Sequence, residues 1–163
     1  MPAPEFDRPR YIAIEGPVRV GKSSLARIVA EKFNARLFLE PEDNPHLSDF
    51  YAGKPGAAFR AQMHFLVQSY LQLSPLGAER PFTPMVADYI FEKDKIFAYI
   101  NLSDAELSVY NQYYELLRPQ IAVPDLVVYL QATPEVLRRR LERKNLEREK
   151  QVSDEYLAEV VKA

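Results

Sequence analysis

Short apolar runs alternate along the chain with stretches whose apolar residues recur every three or four positions, the pattern of strands separated by helices. Residues 11–15 (YIAIE) predict a strand, and the GPVRVGKSS that follows predicts a turn opening a helix marked by Leu25, Ile28, Val29 and Phe33. Residues 37–40 predict a second strand, stopped by Pro41, which has no amide hydrogen for a sheet ladder. Residues 41–56 hold three prolines and two glycines and predict loop with one short helix within 46–51, a connection long enough to be functional. Phe59, Met63, Leu66, Tyr70 and Leu73 predict a helix over 57–73 with one buried face. A third strand is expected over 85–88 and a helix over 90–100. Ser103 and Glu106 form a capping box opening the helix of Leu107, Tyr110, Tyr114 and Leu117, which Pro119 stops. Residues 126–130 predict a fourth strand. Thr133 and Pro134 start a basic helix, and Ser153 caps a last one through Val161. Short apolar strands between helices imply an α/β class with a parallel sheet flanked by helices, of which four strands are visible.

The 163 residues, 47% hydrophobic and 27% charged, suit a single globular domain, 1–163, rather than a disordered or fibrous chain. No run approaches the roughly 20 apolar residues of a membrane span. Cysteine is absent, which excludes disulfides, thiolate metal sites and cysteine nucleophiles. Residues 1–10 carry Glu5, Asp7 and three prolines where a secretory signal needs an apolar stretch, so a cytoplasmic location is expected. A net charge of −2 does not resemble a chain that coats nucleic acid, and neither nucleic acid nor membrane is expected as a partner. Residues 138–150 nevertheless hold seven basic side chains against three acidic ones, which makes them either a lid that clamps an anion or a solvated helix face.

Gly16 to Ser23 reads G-x-x-x-x-G-K-S, directly after a predicted strand and directly before a predicted helix, the context a phosphate-binding loop requires. Glycines let backbone amides turn inward, the helix N-terminus adds positive potential, Lys22 reaches terminal phosphates and the Ser23 hydroxyl suits Mg²⁺. Gly16, Val20, Gly21, Lys22, Ser23 and Ser24 form the expected nucleotide cradle. Ligands of parallel sheets sit at the carboxyl ends of strands, where Glu40 and Asp88 are expected. Either could polarise a hydroxyl or hold Mg²⁺, and either could equally be a loop cap or a surface ion pair. Glu15 enters the loop and reads as structural. Gln62, three residues after Phe59 and four before Leu66, lies on or beside the buried stripe of its helix. A buried amide needs partners, either from a loop backbone or from a ligand. His46 and His64 are given no role.

With these residues assembled, the chain resembles the deoxynucleoside kinases, which move the γ-phosphate of ATP to the 5′-hydroxyl of a deoxynucleoside. The resemblance is carried by IAIEGPVRVGKSSLA at 12–26, LEP at 39–41, Tyr51 with FRAQ at 59–62, VADYIFEKDKIFA at 86–98 and EYL at 155–157. It implies ATP with Mg²⁺, for which the loop hydroxyl of Ser23 and the strand-end carboxylate of Asp88 are the expected donors. Glu40 is then the base at the 5′-hydroxyl, Tyr51 a contact to the sugar, Phe59 part of the base pocket and Gln62 a hydrogen-bonding partner of the base. It also implies a homodimer, a further strand that this chain does not supply, and a weak preference for purines, as in the bacterial deoxyguanosine and deoxyadenosine kinases. Three departures stand out. Arg19 replaces a glycine of the loop, and Ala87-Asp88-Tyr89 lacks the arginine that resembled proteins carry after the third strand. In the lid, Lys144-Asn145-Leu146 with Glu149 align with an arginine-glycine-arginine pattern, and a shift of one residue puts Arg143 at its first arginine. Thymidylate kinase shares the loop and the Glu-Pro pair and is the nearest rival; a nucleotide-binding regulatory module without transfer activity is the rival from another class.

Overall fold

The computed structural model describes residues 9–76, 83–145 and 152–162. Four strands, β1 (Tyr11–Glu15), β2 (Arg36–Phe38), β3 (Met85–Ala87) and β4 (Leu126–Tyr129), form one parallel sheet in the order β2-β3-β1-β4. Tyr11 pairs with Met85, Ile12 with Leu126 and Arg36 with Met85, so all carboxyl ends meet at one edge. Seven α-helices among the described residues surround the sheet: α1 (Lys22–Phe33), α2 (Leu47–Tyr51), α3 (Ala57–Leu73), α4 (Lys93–Asn101), α5 (Asp104–Leu117), α6 (Pro134–Lys144) and α7 (Asp154–Lys162). None of them is long and apolar enough to cross a membrane.

Strand alternation sorts the core into two faces. Tyr11, Ala13, Met85 and Ala87 point toward Leu66 and Leu73 of α3, Ala98 of α4 and Tyr110 and Tyr114 of α5. Ile14 and Val86 point the other way, onto α1. There the helical repeat holds in part: Leu25 and Val29 pack partly buried and Ala26 and Ala30 are buried, while Ile28 and Phe33 are exposed. The small side chains of Ala26 and Ala30 let α1 lie close on the sheet, with the larger Leu25 and Val29 packed beside them.

Two boundaries differ from the expected ones by more than a single residue, for one reason. β2 ends at Phe38 and not at residue 40, because β3 runs out opposite it and the Glu40 amide donates instead to the Asp88 carboxylate, at 2.6 Å. Helix α4 begins at Lys93, after a turn in which the Ile90 amide donates to Glu15 Oε2 at 3.1 Å. The carboxylates at the strand ends therefore take over the amides that strand and helix leave unbonded. The capping box forms as read, with Ser103 and Glu106 bonding reciprocally. Of the expected lid, residues 138–144 are the end of α6; residues 146–150 lie outside the described residues.

Candidate active site

The loop between β1 and α1 wraps inward as the glycine pattern demands. Gly16 has φ +145°, and a Cβ there would stand 2.4 Å from the Leu130 carbonyl oxygen. Gly21, with φ +110°, turns the chain into α1. Arg19 has φ +63°, so the backbone keeps the left-handed form that glycine adopts freely even though the side chain is bulky. Lys22 Nζ donates to the carbonyls of Gly16 at 2.8 Å and Pro17 at 3.0 Å, folding the lysine across the loop. Burial, with the nearby Lys93 cation, pushes the Lys22 ammonium below its ordinary pKa. Gly16→Ala is expected to lose about 2 to 4 kcal/mol from the combined clash and backbone strain. Urea denaturation checks it; a variant as stable as the parent would show that the loop shifts freely.

Beside the loop stands a cluster of three carboxylates and two ammonium groups. Asp88, 3% exposed, accepts from the Ser23 hydroxyl at 2.5 Å and from the Glu40 amide at 2.6 Å, tying the loop helix to the end of β2. Glu15 accepts from the Gly16 and Ile90 amides, and its burial raises its pKa against the opposing pull of Lys93. Lys93 Nζ donates to Glu40 Oε2 at 2.8 Å and lies 3.8 Å from Glu15 Oε1. Burial alone would lower its pKa; the Glu40 and Glu15 carboxylates hold it above the ordinary value instead.

Loop and cluster open on a cavity of about 580 Å³. Gly16, Gly21, Lys22, Ser23, Ser24, Glu40, Tyr51, Gln62 and Asp88 line it. Three expected residues stand elsewhere. Val20 is buried beneath the loop and offers only its carbonyl, which accepts from Arg140 at 2.7 Å. Phe59 packs on the main core; one stripe of α3 (Phe59, Met63, Leu66, Tyr70) feeds that core, and the adjacent stripe (Ala58, Ala61, Phe65, Ser69) lines the cavity. Arg143 is exposed and outside the lining, while Arg140 and Lys144, on other faces of α6, line it. Arg138 bonds Asp154 and the Val152 carbonyl, fastening α6 to α7.

Gln62 has an internal partner that spacing did not reveal. Its Nε2 donates to the backbone oxygen of Asp94 at 2.9 Å and to its Oδ1 at 2.8 Å, while Tyr110 donates to Oδ2 at 2.7 Å. Both Gln62 and Asp94 also line the cavity. Burial raises the Asp94 pKa to about 7 despite those donors. Because the folded protein holds this proton more tightly than the unfolded chain, the stability it contributes is full below about pH 4 and lost as pH rises through about 7. Asp94→Asn lacks that loss, so its Tm relative to the parent should rise between pH 4 and 8 by roughly 3 °C or more, the shift about 1 kcal/mol gives in a domain this size. A difference that stays flat with pH would place the Asp94 titration elsewhere.

A glycine-turned loop at a helix N-terminus, a lysine across it and carboxylates at neighbouring strand ends define a P-loop phosphotransferase. Residues 12–163 match the family model described as deoxynucleoside kinase. The chain is 34% identical to a deoxyguanosine kinase of Bacillus subtilis, over 93% of this chain and 74% of that one. It is 29% identical to a deoxyadenosine kinase of Dictyostelium discoideum, over 94% and 64% respectively. The structure of a deoxyadenosine kinase from M. mycoides with bound dATP shares the fold, with a TM-score of 0.78 at 23% identity over 94% of this chain and 80% of that one. The chain belongs to the deoxynucleoside kinase family and is an ATP-dependent phosphotransferase. That sets aside the thymidylate kinase reading. Sequence reasoning left Lys93, Asp94 and Arg140 without roles, although the first two stand in the EKDK of the quoted 86–98 stretch.

Proposed function

We propose that the protein phosphorylates the 5′-hydroxyl of a purine deoxynucleoside, with ATP bound at the phosphate loop and the nucleoside in the part of the cavity lined by Tyr51, Gln62 and Asp94. The observation that carries this is the position of Glu40: its carboxylate lines the same cavity as the loop, fixed at the backbone by Asp88 and at the side chain by Lys93. Glu40 takes the 5′-hydroxyl proton as that oxygen attacks the γ-phosphorus. The bond from phosphorus to the bridging β,γ-oxygen breaks, ADP leaves, and the nucleoside monophosphate remains. Lys22 exchanges its two loop carbonyls for the β- and γ-phosphates, and Arg140, already bonded to the Arg19 and Val20 carbonyls, meets the charge that develops on the transferred group. The Ser23 hydroxyl and the Asp88 carboxylate are adjacent hard oxygen donors of the kind Mg²⁺ takes together with phosphates and water. Bound there, Mg²⁺ supplies neutralisation of the phosphate charge.

On the base side, Gln62 commits its amide nitrogen to Asp94, and nothing among the described residues occupies its carbonyl oxygen. That oxygen accepts from an N–H at a base edge. The relatives named deoxyguanosine and deoxyadenosine kinase support a purine. The reading includes a cytoplasmic homodimer, for which exposed Val67 and Leu71 of α3 and Val109, Tyr113 and Leu116 of α5 offer an apolar face. Competition among the four deoxynucleosides for labelled phosphate from ATP tests the substrate: deoxyguanosine or deoxyadenosine should dominate the products, and a predominance of pyrimidine monophosphates would overturn the purine assignment.

A further inference from the structure

Glu15 and Glu40 share one cation, but they do not depend on it equally. The Glu15 carboxylate has two backbone amides of its own, from Gly16 at 2.8 Å and Ile90 at 3.1 Å, and Lys93 stands 3.8 Å away. Among the described residues the Glu40 side chain has one partner, and it is Lys93 at 2.8 Å. Lys93 is the first residue of α4, its side chain only 13% exposed, and it lines the cavity. An ammonium group is therefore delivered to the reacting edge from the start of a helix. The strand end itself supplies no cation: Ala87-Asp88-Tyr89 has no basic residue, and the Tyr89 hydroxyl donates to Gln72.

Resting on the assignment of Glu40 as the base, we propose that Lys93 is a positioning residue for the transfer. Its ion pair fixes the Glu40 carboxylate over the phosphate loop, so that the acceptor hydroxyl meets a base already aimed. An otherwise half-exposed glutamate samples several rotamers, and holding one of them supplies the orientation that an in-line displacement needs. The pair also keeps the anion beside Lys22 rather than in contact with it, leaving the loop lysine for phosphate.

The test is a kinetic double-mutant cycle on the full chain. Lys93→Met, which keeps the length and removes the charge, should lower kcat roughly 10- to 100-fold with the KM for ATP within about 3-fold of the parent. Lys93→Arg should recover most of that loss. In a Glu40→Gln background, where there is no carboxylate to aim, Lys93→Met should cost almost nothing further, because the two residues act as one unit. Lys93→Gln, which retains a donor for both carboxylates, serves as the neutral variant should the methionine protein lack a cooperative melt. Losses that multiply independently in the double variant would overturn the proposal, since Lys93 would then act on the fold or on phosphate without Glu40. So would a neutral Lys93 variant with the parent's kcat, while Glu40→Gln remained impaired; that pattern leaves the base assignment standing. A Glu40→Gln protein with normal turnover would overturn both.

Discussion

Lys22→Ala is expected to lower kcat by at least ~10²-fold while the protein still folds. The lysine bridges two carbonyls of the loop, at 2.8 and 3.0 Å, in a site whose burial already disfavours its charge. On the proposed reading the phosphates meet this ammonium, and exchanging carbonyl oxygens for phosphate oxygens strengthens the interaction as charge develops. Alanine removes the cation and leaves two partly buried carbonyls to water, which costs about 1 kcal/mol of stability. Helix α1 keeps its start because Gly21, not Lys22, makes the turn into it. Steady-state turnover and Tm measured on the same preparation check this. A variant within a few-fold of the parent's kcat would remove Lys22 from the chemistry.

Glu40→Gln is expected to reduce kcat by about 10²- to 10⁴-fold, the range general bases contribute, with deoxynucleoside Kd changed by only a few-fold. Glutamine fills the same volume and can still bond the acceptor hydroxyl and Lys93, but it does not take a proton. The backbone bond from residue 40 to Asp88 does not involve the side chain, so the strand end stays in place. Equilibrium binding and single-turnover transfer separate the two effects. A large loss of affinity with kcat preserved would make Glu40 a binding group.

The parts of this site that lie in one contiguous segment were legible in the sequence. The loop, its lysine and serine, and the strand before it form a motif whose geometry follows from its own residues, and the Ser103 capping box is equally local. What escaped was relative facing across elements. The resemblance assigns Phe59 to the base pocket, but Phe59 stands on the apolar stripe of α3 that packs on the main core; the cavity takes the neighbouring stripe, where Phe65 stands. On α6 the choice of Arg143 came from register against a pattern, whereas the helix rotation puts Arg140 at the loop carbonyls. Gln62 was recognised as a buried amide, but its partner is 32 positions away, and only the packing of α3 on α4 brings Asp94 to it. Lys93 and Asp94 look like an ordinary charged helix start in sequence. Their partners are Glu40 and Tyr110, which the fold alone carries to them.

The most direct measurement is a single-turnover experiment with γ-labelled ATP, offering the enzyme deoxyguanosine, deoxyguanosine 5′-monophosphate or neither. The expected result is label on the 5′-oxygen of the nucleoside, formed at a rate that collapses in Glu40→Gln, with no labelled diphosphate from the monophosphate. Labelled diphosphate as the main product, or nucleotide binding with no transfer to either acceptor, would contradict it.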